Sequence, residues 1–380
     1  MSCPYQNLCG GCPLRHLSPA EYQNYKTAKI AKILELLHQD SSVMETPVFI
    51  ADGQRRRVEM AFAYKKDSLI LGFNADKSHD IINIDYCPAM EAQLNDVLPE
   101  IKNFLRQLCQ IKNRKKVKNK IVTSNIGSGD IFLCGAANGV DILLTVDTEL
   151  SLEQRMCICD FANGCDAVVR VALRRNSNTA PETIIEKNKP YINIADHRVY
   201  LPGGAFLQAS VAGEQALINA VMKYLGTTEG KIADLFCGIG TFSYPMSDNI
   251  KNKIIAVDCA PELLDSFQKT VNALTIPNIQ ILKRNLFKYP LDTAELKGFK
   301  AIVFDPPRAG ASAQIKQITA LNQADKPQKI VAVSCNPNTF VNDAGQLLSG
   351  GYTLRRITPV DQFVYTNHLE LVALFEIKGE

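Results

Sequence analysis

The pattern of apolar residues changes near residue 201, and from there on strand-like and helical patterns alternate along the chain. Short apolar runs typical of buried strands are separated by stretches in which apolar residues recur every three or four positions. The strand-like runs are Ile232–Phe236, Ile254–Val257, Ile279–Leu282, Ala301–Phe304 and Ile330–Val333, and the helical stretches lie around 211–225, 261–274, 312–321 and 339–348. This alternation predicts a parallel, doubly wound sheet, to which two further runs near 353–360 and 369–377 add an antiparallel pair at one edge.

Residues 46–200 show shorter β-rich runs, separated by turn signals such as Lys66-Asp67-Ser68 and Asn138-Gly139. These runs are Arg57–Tyr64, Leu69–Phe73, Ile131–Gly135, Ile142–Val146 and Ala167–Leu173. Short strands at this spacing predict a mixed, mostly antiparallel sheet. We therefore expect two domains, a β-rich α+β domain over residues 1–200 and an α/β domain over residues 201–380.

A helix is predicted over residues 18–38. Ser18-Pro19-Ala20-Glu21 combines an N-cap serine, a first-turn proline and a capping glutamate. Apolar residues then follow at helical spacing, namely Ile30, Ile33, Leu34 and Leu37. Because this apolar face needs a packing partner, we expect the helix to pack on the carboxyl-terminal domain.

The charge of the chain is unevenly distributed. Its 380 residues are 46% hydrophobic and 21% charged, which excludes disordered and fibrous chains, and its formal net charge is only +3. Residues 101–120, however, contain eight cationic side chains and no acidic one, which leaves −5 for the remaining 360 residues. The cations are Lys102, Arg106, Lys112, Arg114, Lys115, Lys116, Lys118 and Lys120. Such a segment favours a polyanionic partner.

The cysteine content requires an explanation other than disulfide bonds. No apolar run approaches the roughly 20 residues of a membrane span, and the amino terminus lacks the pattern of a secretory leader. We therefore expect a cytoplasmic protein that does not bind membranes. Its 12 cysteines would be kept reduced there, so metal binding, catalysis or burial has to account for them.

A glycine-containing turn at the end of the first strand of the alternating region favours a nucleoside ligand. The segment Asp234–Thr241 contains Gly238 and Gly240 but not the third glycine of a dinucleotide-binding fingerprint, which argues against NAD or FAD. Asp258 ends the next strand, where an acidic residue can accept hydrogen bonds from ribose hydroxyls. A cofactor with a ribose and an adenine but no phosphates fits this pattern best, and S-adenosylmethionine is such a cofactor.

Two residues at strand ends suggest covalent chemistry. Cys335 follows the fifth strand and Glu370 begins the last one. Taken singly, a buried small side chain and an exposed carboxylate are the simpler interpretations. Because the carboxyl ends of strands form the ligand crevice of an open α/β sheet, the two together offer a thiolate and a base. That pair suits methylation at C5 of a pyrimidine, which is too weak a nucleophile to attack a sulfonium directly.

Four further cysteines, Cys3, Cys9, Cys12 and Cys87, form a C-x5-C-x2-C group with a distant fourth member. Four thiolates can hold zinc or an iron–sulfur cluster, and the spacing alone does not decide between them.

The segments Asp234–Thr241, Asp305–Gly310, Ser334–Thr339 and His368–Glu370, together with the amino-terminal cysteines, closely resemble the RNA uracil-C5 methyltransferases. The resemblance implies a class I, Rossmann-like methyltransferase domain and a β-rich RNA-binding domain with a four-cysteine [4Fe-4S] site. It also implies that Cys335 adds to C6 of a flipped-out uracil and that Glu370 removes the C5 proton. The implied S-adenosylmethionine contacts are Gln208, Phe236, Thr241, Asp258, Asn285 and Asp305. Thr241 stands where asparagine is common in the family, and Asp258 where glutamate is common.

RNA is the partner that the basic segment and the resemblance imply. Candidate phosphate contacts are the segment 101–120, Arg55, Arg56, Arg57, Arg170, Arg174 and Arg175. The compact arrangement, in which the cysteine group begins at once and a separate RNA-binding barrel is not expected, favours 23S ribosomal RNA, with transfer RNA as the alternative, and a monomer. Two other hypotheses remain at this stage: an N-methyltransferase, because Asp-Pro-Pro segments also serve exocyclic amines, and a non-catalytic RNA-binding iron–sulfur protein.

Overall fold

The computed structural model describes residues 3–117 and 120–378. In chain order the strands are β1 (Val48–Phe49), β2 (Arg57–Lys65), β3 (Ser68–Asn74), β4 (Ile81–Asn83), β5 (Asn113–Val117), β6 (Lys120–Ser124), β7 (Ser128–Ala136), β8 (Gly139–Thr145), β9 (Val168–Arg174), β10 (Glu182–Glu186), β11 (Tyr191–Ile194), β12 (His197–Tyr200), β13 (Lys231–Leu235), β14 (Lys253–Asp258), β15 (Ile279–Lys283), β16 (Phe299–Phe304), β17 (Lys329–Ser334), β18 (Tyr352–Asp361) and β19 (Glu370–Ile377). The α-helices are α1 (Pro19–Leu36), α2 (Ala92–Asp96), α3 (Leu98–Gln110), α4 (Leu152–Gly164), α5 (Val211–Leu225), α6 (Ser243–Ser247), α7 (Pro261–Ala273), α8 (Ser312–Thr319) and α9 (Pro337–Ser349).

The chain forms two compact units. The amino-terminal unit comprises residues up to 16, 51–192 and 200–210, and the carboxyl-terminal unit comprises 17–50, 193–199 and 211–380. This division differs from a single boundary near residue 201, because α1 and β1 belong to the carboxyl-terminal unit. Within the described ranges, no helix has both the length and the apolar composition needed to cross a membrane.

The carboxyl-terminal unit is built on an eight-stranded sheet with the order β1-β18-β19-β17-β16-β13-β14-β15. The five strands β13 to β17 are mutually parallel, as the alternation of apolar runs predicted, and β19 runs antiparallel to both β17 and β18. Counted from β13, the order is 3-2-1-4-5-7-6, a doubly wound, Rossmann-like arrangement. The expected edge pair is therefore confirmed as antiparallel, but β19 lies inside the sheet and β1 adds a parallel strand beyond β18.

Helix α1 begins where the sequence predicted. Ser18 caps it, and its side chain and that of Glu21 form a reciprocal capping box. The four apolar residues of its predicted face are all buried in the core of the carboxyl-terminal unit, against strands of the eight-stranded sheet and helices α8 and α9. Burial of that face, rather than helix propensity, holds the helix in place.

The amino-terminal unit contains a seven-stranded sheet with the order β10-β9-β8-β7-β2-β3-β4. All neighbouring pairs are antiparallel except β8 with β9, which confirms the mixed, mostly antiparallel prediction. Helix α4 makes the crossover between β8 and β9, as a parallel connection requires. Helices α3 and α4 were not predicted; they pack together through Phe104 and Phe161, whose rings stack 4.2 Å apart.

Candidate active site

The carboxyl ends of β13, β14, β16 and β17 and the start of β19 meet at one edge of the eight-stranded sheet. Leu235 lies in register with Val257 on one side and Phe304 on the other. Ser334 pairs with Leu371, so continuing the antiparallel register by one residue on each strand brings Cys335 opposite Glu370. The edge at which ligands bind in open α/β sheets therefore collects the sequence-predicted residues of this unit.

Three residues of the turn after β13 have left-handed backbone conformations. Phe236, Gly238 and Gly240 all have positive φ, of 62°, 54° and 94°. A Cβ atom at Gly240 would lie 2.5 Å from the ring of Phe267, whereas at Gly238 it would meet nothing within 4 Å. Gly240 is thus required for packing and Gly238 leaves open space above the turn, next to Thr241, which is half-buried.

Asp258 is held rigidly at the end of β14. Its Oδ2 accepts a hydrogen bond from the Gly238 N–H at 3.0 Å, and its Oδ1 accepts bonds from the N–H groups of Cys259 and Ala260 at 2.6 and 3.0 Å. A carboxylate has about four acceptor positions, so it can still accept a bond from a ligand hydroxyl. These three hydrogen bonds fix the orientation of the Asp258 carboxylate.

Asn285 shapes the loop after β15. Its Oδ1 accepts hydrogen bonds from the N–H groups of Phe287 and Lys288 at 3.0 and 3.1 Å. The loop brings the exposed Phe287 ring to 5.3 Å from the ring of Phe236, which lies on the turn after β13. The two rings offer apolar surface suited to a planar group such as an adenine.

Cys335, Glu370 and Asp305 influence one another electrostatically. Burial raises the pKa of the Cys335 thiol to about 11; the charges of Glu370 and Asp305 add to this, and Arg308 opposes it. Glu370 is 4% exposed, and burial together with the charge of Asp305 raises its pKa to about 8. Its Oε1 accepts a hydrogen bond from Gln362 at 3.3 Å, while its Oε2 has no partner among the described residues. An unpaired, buried carboxyl oxygen beside a thiol is costly and therefore points to a functional site.

Three further residues of this site were not given roles from the sequence. Gln362 follows the last residue of β18 and was overlooked because it is a single polar residue eight positions before Glu370. Arg308 Nη2 lies 3.1 Å from His368 Nε2, and the Arg308 main-chain oxygen accepts bonds from Asn336 and Thr339. These contacts connect the segments after β16 and β17 with the segment that precedes β19.

Asp234 lies fully buried below the glycine turn. Its Oδ2 accepts a hydrogen bond from the Ser243 hydroxyl, and its Oδ1 has no partner in the described ranges. Burial raises its pKa to about 7; the bond from Ser243 opposes this, and the charges of Asp305 and Asp258 add to it. Asp234 therefore lies near Asp258, at the end of β14, and near Asp305, which follows β16.

Gln208 belongs to the amino-terminal unit and is described there. It is buried, and its main-chain oxygen accepts a hydrogen bond from Arg56 Nε at 3.0 Å. The Arg56 N–H also donates to the Ala209 oxygen at 2.9 Å. Arg56 is only 1% exposed, so its prediction as a phosphate contact is wrong: it holds the segment around Gln208 from below.

Other predicted phosphate contacts are also occupied within the amino-terminal unit. Arg170 is buried, with bidentate bonds to Asp141 at 2.8 and 2.6 Å, so its prediction as a phosphate contact is wrong as well. Arg174 bonds to Thr145 and pairs with Glu59 at 3.4 Å. In the basic segment, the cations from Arg114 to Lys116 lie on β5 and Lys120 begins β6, whereas Lys118 lies outside the described residues.

The four predicted ligand cysteines line one cavity of the amino-terminal unit. These residues are Cys3, Cys9, Cys12 and Cys87. Burial raises the pKa of Cys87 to about 11 and that of Cys9 in the same direction. Arg15 makes a bidentate pair with Asp52 and lies 3.9 Å from the sulfur of Cys12. Over residues 3–117 and 120–378, no three His, Cys, Asp or Glu side chains converge as ligands of a metal ion.

Comparison with known proteins decides the family. The family model described as tRNA (Uracil-5-)-methyltransferase matches residues 182–378. An uncharacterized RNA methyltransferase of Agrobacterium fabrum is 32% identical over 369 residues, covering 97% of this chain and 82% of that protein. The chain belongs to the uracil-5 methyltransferase family. It is accordingly an S-adenosylmethionine-dependent RNA (uracil-C5)-methyltransferase, as the resemblance implied.

Two other proteins similar to this chain have named RNA substrates. The 23S rRNA (uracil(1939)-C(5))-methyltransferase RlmD of Shewanella sediminis is 28% identical, covering 99% of this chain and 81% of that protein. The tRNA (uracil-54, C5)-methyltransferase of Pyrococcus abyssi, solved with S-adenosyl-L-homocysteine, has a TM-score of 0.72 at 22% identity and covers 99% of this chain and 87% of that one. The second similarity confirms the α/β, Rossmann-like fold.

Proposed function

We propose that this enzyme methylates C5 of one uridine in 23S ribosomal RNA through a covalent intermediate on Cys335. The observation that carries the proposal is the pairing of a thiol and a buried carboxyl, Cys335 opposite Glu370, at the ligand-binding edge of the sheet. A separate N-methylation chemistry needs neither group.

The reaction begins with the thiolate of Cys335. Its sulfur forms a bond to C6 of the uracil, and the π electrons of the C5–C6 double bond move toward the C4 carbonyl oxygen to give an enolate. S-adenosylmethionine, when bound, would supply the methyl group to C5, and S-adenosylhomocysteine, a neutral thioether, would remain. Because burial raises the pKa of the Cys335 thiol to about 11, its proton has to pass to solvent water before the C–S bond forms. Covalent addition replaces one difficult step by two easier ones.

Glu370 acts in the last step. It accepts the C5 proton, the C5–H electron pair re-forms the C5–C6 double bond, and the C6–S bond breaks to restore the thiolate. A base works best when its pKa lies near the working pH, and burial moves Glu370 toward that range. Its unpaired Oε2 is the oxygen free to take the proton.

Residues around the glycine turn fit S-adenosylmethionine, which supplies the methyl group. Asp258 would accept hydrogen bonds from the ribose hydroxyls, and Phe236 and Asn285 would lie beside the adenine. Asp305 and Thr241 would contact the rest of the cofactor. The open space above Gly238 and the fixed carboxylate of Asp258 support this assignment. Gln208 is proposed as a further contact on the resemblance alone.

The four amino-terminal cysteines are proposed to hold a [4Fe-4S] cluster. Each cysteine of such a cluster binds a different iron, so the thiols surround a cavity instead of converging on one ion. That requirement agrees with four thiols around one cavity and with the lack of a single-ion arrangement in the described ranges. The cluster would hold residues 3–12 onto the amino-terminal unit.

Iron analysis tests the cluster. Protein purified without oxygen should contain about four irons per chain, and Cys87→Ser should lose them. Cys159→Ser, a half-buried cysteine on α4, is the matched control and should retain iron. Zinc in place of iron would contradict the assignment.

Methylation of defined RNAs tests the function. The protein is incubated with S-adenosylmethionine and unmodified transcripts of either 23S ribosomal RNA or transfer RNA, and nucleosides are identified by mass spectrometry. We expect 5-methyluridine at one site in ribosomal RNA and none with Cys335→Ala. The similarity to RlmD over 99% of the chain supports ribosomal RNA. 5-Methyluridine in transfer RNA only would contradict ribosomal RNA as the substrate and favour transfer RNA. An N-methylated base would refute the proposed chemistry.

A further inference from the structure

A buried lysine of α1 connects the two ends of the segment that leads into Glu370. Lys26 is fully buried, and its Nζ donates to Asp361 Oδ1 at 2.8 Å and to the main-chain oxygen of His368. Asp361 is the last residue of β18, and His368 lies two residues before Glu370. One ammonium group therefore ties both ends of the connecting segment, residues 362–369.

Tyr22, one helical turn before Lys26, holds the same segment at two more points. Its hydroxyl donates to Asp361 Oδ2 and accepts a hydrogen bond from the Tyr365 N–H at 2.8 Å. Both carboxylate oxygens of Asp361 are thus bound by side chains of α1. Residues four apart lie on the same helix face, which explains how one helix supplies both donors.

Burying this ion pair costs desolvation free energy, so stability alone does not explain it. Burial lowers the pKa of Lys26, and the charge of Asp361 opposes that shift. Buried ion pairs are often no more stabilising than apolar side chains of similar volume. A buried pair beside an active site is therefore better explained by the position that it enforces.

The connecting segment carries groups of the active site. At its start, Gln362 donates to Glu370 Oε1 at 3.3 Å. Near its end, His368 Nε2 lies 3.1 Å from Arg308 Nη2. The charge of Arg308 opposes the rise in the pKa of Cys335 that burial causes. Cys335 itself follows β17 and is not part of this segment.

We propose that Lys26 and Tyr22 are positioning residues for the proton-removal step. Their hydrogen bonds to Asp361, Tyr365 and His368 fix the segment whose Gln362 orients the Glu370 carboxyl. The inference rests on the proposed function. It predicts that loosening α1's hold on the segment slows transfer of the C5 proton to Glu370, and with it the return of the C6–S electron pair to Cys335, more than it slows thiol addition.

The test compares Tyr22→Phe and Lys26→Met with Lys32→Met, an exposed lysine of the same helix. Each variant is incubated with S-adenosylmethionine and substrate RNA that contains ordinary uracil. Two quantities are measured: released 5-methyluridine, and the fraction of enzyme found as a protein–RNA adduct in denaturing gels. Tyr22→Phe loses a single hydroxyl, so it remains informative even if Lys26→Met does not fold.

We expect product release to fall about ten-fold to 100-fold, in line with the cost of misplacing a catalytic group, while the adduct fraction rises. The Lys32→Met control should match the wild type in both quantities. Adduct and product that decrease in parallel, or that both stay unchanged in Tyr22→Phe and Lys26→Met, would overturn the positioning role alone. A wild-type protein that forms neither product nor adduct would overturn the proposed function, and this inference with it.

Discussion

Glu370→Gln tests the buried carboxyl, because the amide keeps the shape of the side chain and removes its ionisation. Glu370 is 4% exposed, accepts one hydrogen bond from Gln362, and has a pKa raised from 4.5 to about 8, chiefly by burial. The folded protein therefore holds this proton more tightly than the unfolded chain does.

The sign of the stability effect follows from that difference. Below pH 4.5 both states carry the proton, so Glu370 contributes nothing to the pH dependence of the free energy of unfolding. Between pH 4.5 and about 8 the unfolded chain loses the proton while the folded protein keeps it, so the free energy of unfolding falls. The free energy of unfolding falls by about 1.4 kcal/mol for each pH unit in this interval, a loss of a few kcal/mol in total. Above pH 8 both states have lost the proton, and the loss stays constant.

Thermal melting at pH 5 and pH 9 measures this penalty. We expect Glu370→Gln to melt several degrees above the wild type at pH 9, since a domain of this size gains about 2 °C or more per kcal/mol, and to be close to it at pH 5. Glu376→Gln, on the same strand but partly exposed and paired with Arg355, is the control for removing a carboxylate from β19 and should melt below Glu370→Gln at pH 9. If the difference between Glu370→Gln and wild type is the same at both pH values, the raised pKa and the role derived from it are refuted.

The remaining predictions concern packing, a buried ion pair and the pH dependence of turnover. Gly240→Ala should destabilise the carboxyl-terminal unit by about 1–3 kcal/mol, the usual cost of overpacking, because the new Cβ would lie 2.5 Å from the Phe267 ring. The melting temperature should therefore fall, and an unchanged melting curve would contradict this. Asp141→Asn removes the buried partner of Arg170 and leaves it only the partly exposed Glu186, 3.5 Å away, so it should cost up to about 3–5 kcal/mol in denaturant unfolding. Glu182→Gln, in an exposed pair, should cost about 1 kcal/mol or less, and equal losses would refute the distinction. Methyl transfer by the wild type should increase from pH 6.5 to pH 9, because both raised pKa values favour the protonated forms at neutral pH, and a rate that falls over this range would contradict the assigned roles.

The inner strands of the carboxyl-terminal sheet were predictable because β13, β14, β16 and β17 are buried along most of their length, on both faces. Continuous apolar runs then give strand positions within a residue or two, as for β13 and β16. The position of β1 was not predictable, because a two-residue strand carries no periodic signal. Helix α3 did carry one, in Leu98, Ile101, Leu105 and Leu108, but it overlaps the cationic segment and was read for charge alone.

At the site, the sequence identified residues at strand ends but not their partners. Cys335 and Glu370 stand beside recognisable segments, and the sheet register brings them together. Lys26 acts through a contact with Asp361, 335 positions away in the chain, which no local pattern reveals. Gln362 lies only eight positions before Glu370, but as a single polar residue it carries no recognisable motif. The arginines failed as phosphate contacts for the opposite reason: Arg56 and Arg170 look exposed in sequence but are buried with internal partners.

Trapping on RNA that contains 5-fluorouracil tests the central claim most directly. Fluorine replaces the C5 hydrogen and cannot leave as a proton, so the methylated intermediate stays bonded to the nucleophile. With S-adenosylmethionine present, the wild type should give a denaturant-resistant adduct whose RNA-linked peptide contains Cys335, and Cys335→Ala should give none. A wild-type protein that methylates uridine without forming this adduct, or an adduct that persists in Cys335→Ala, would contradict the account.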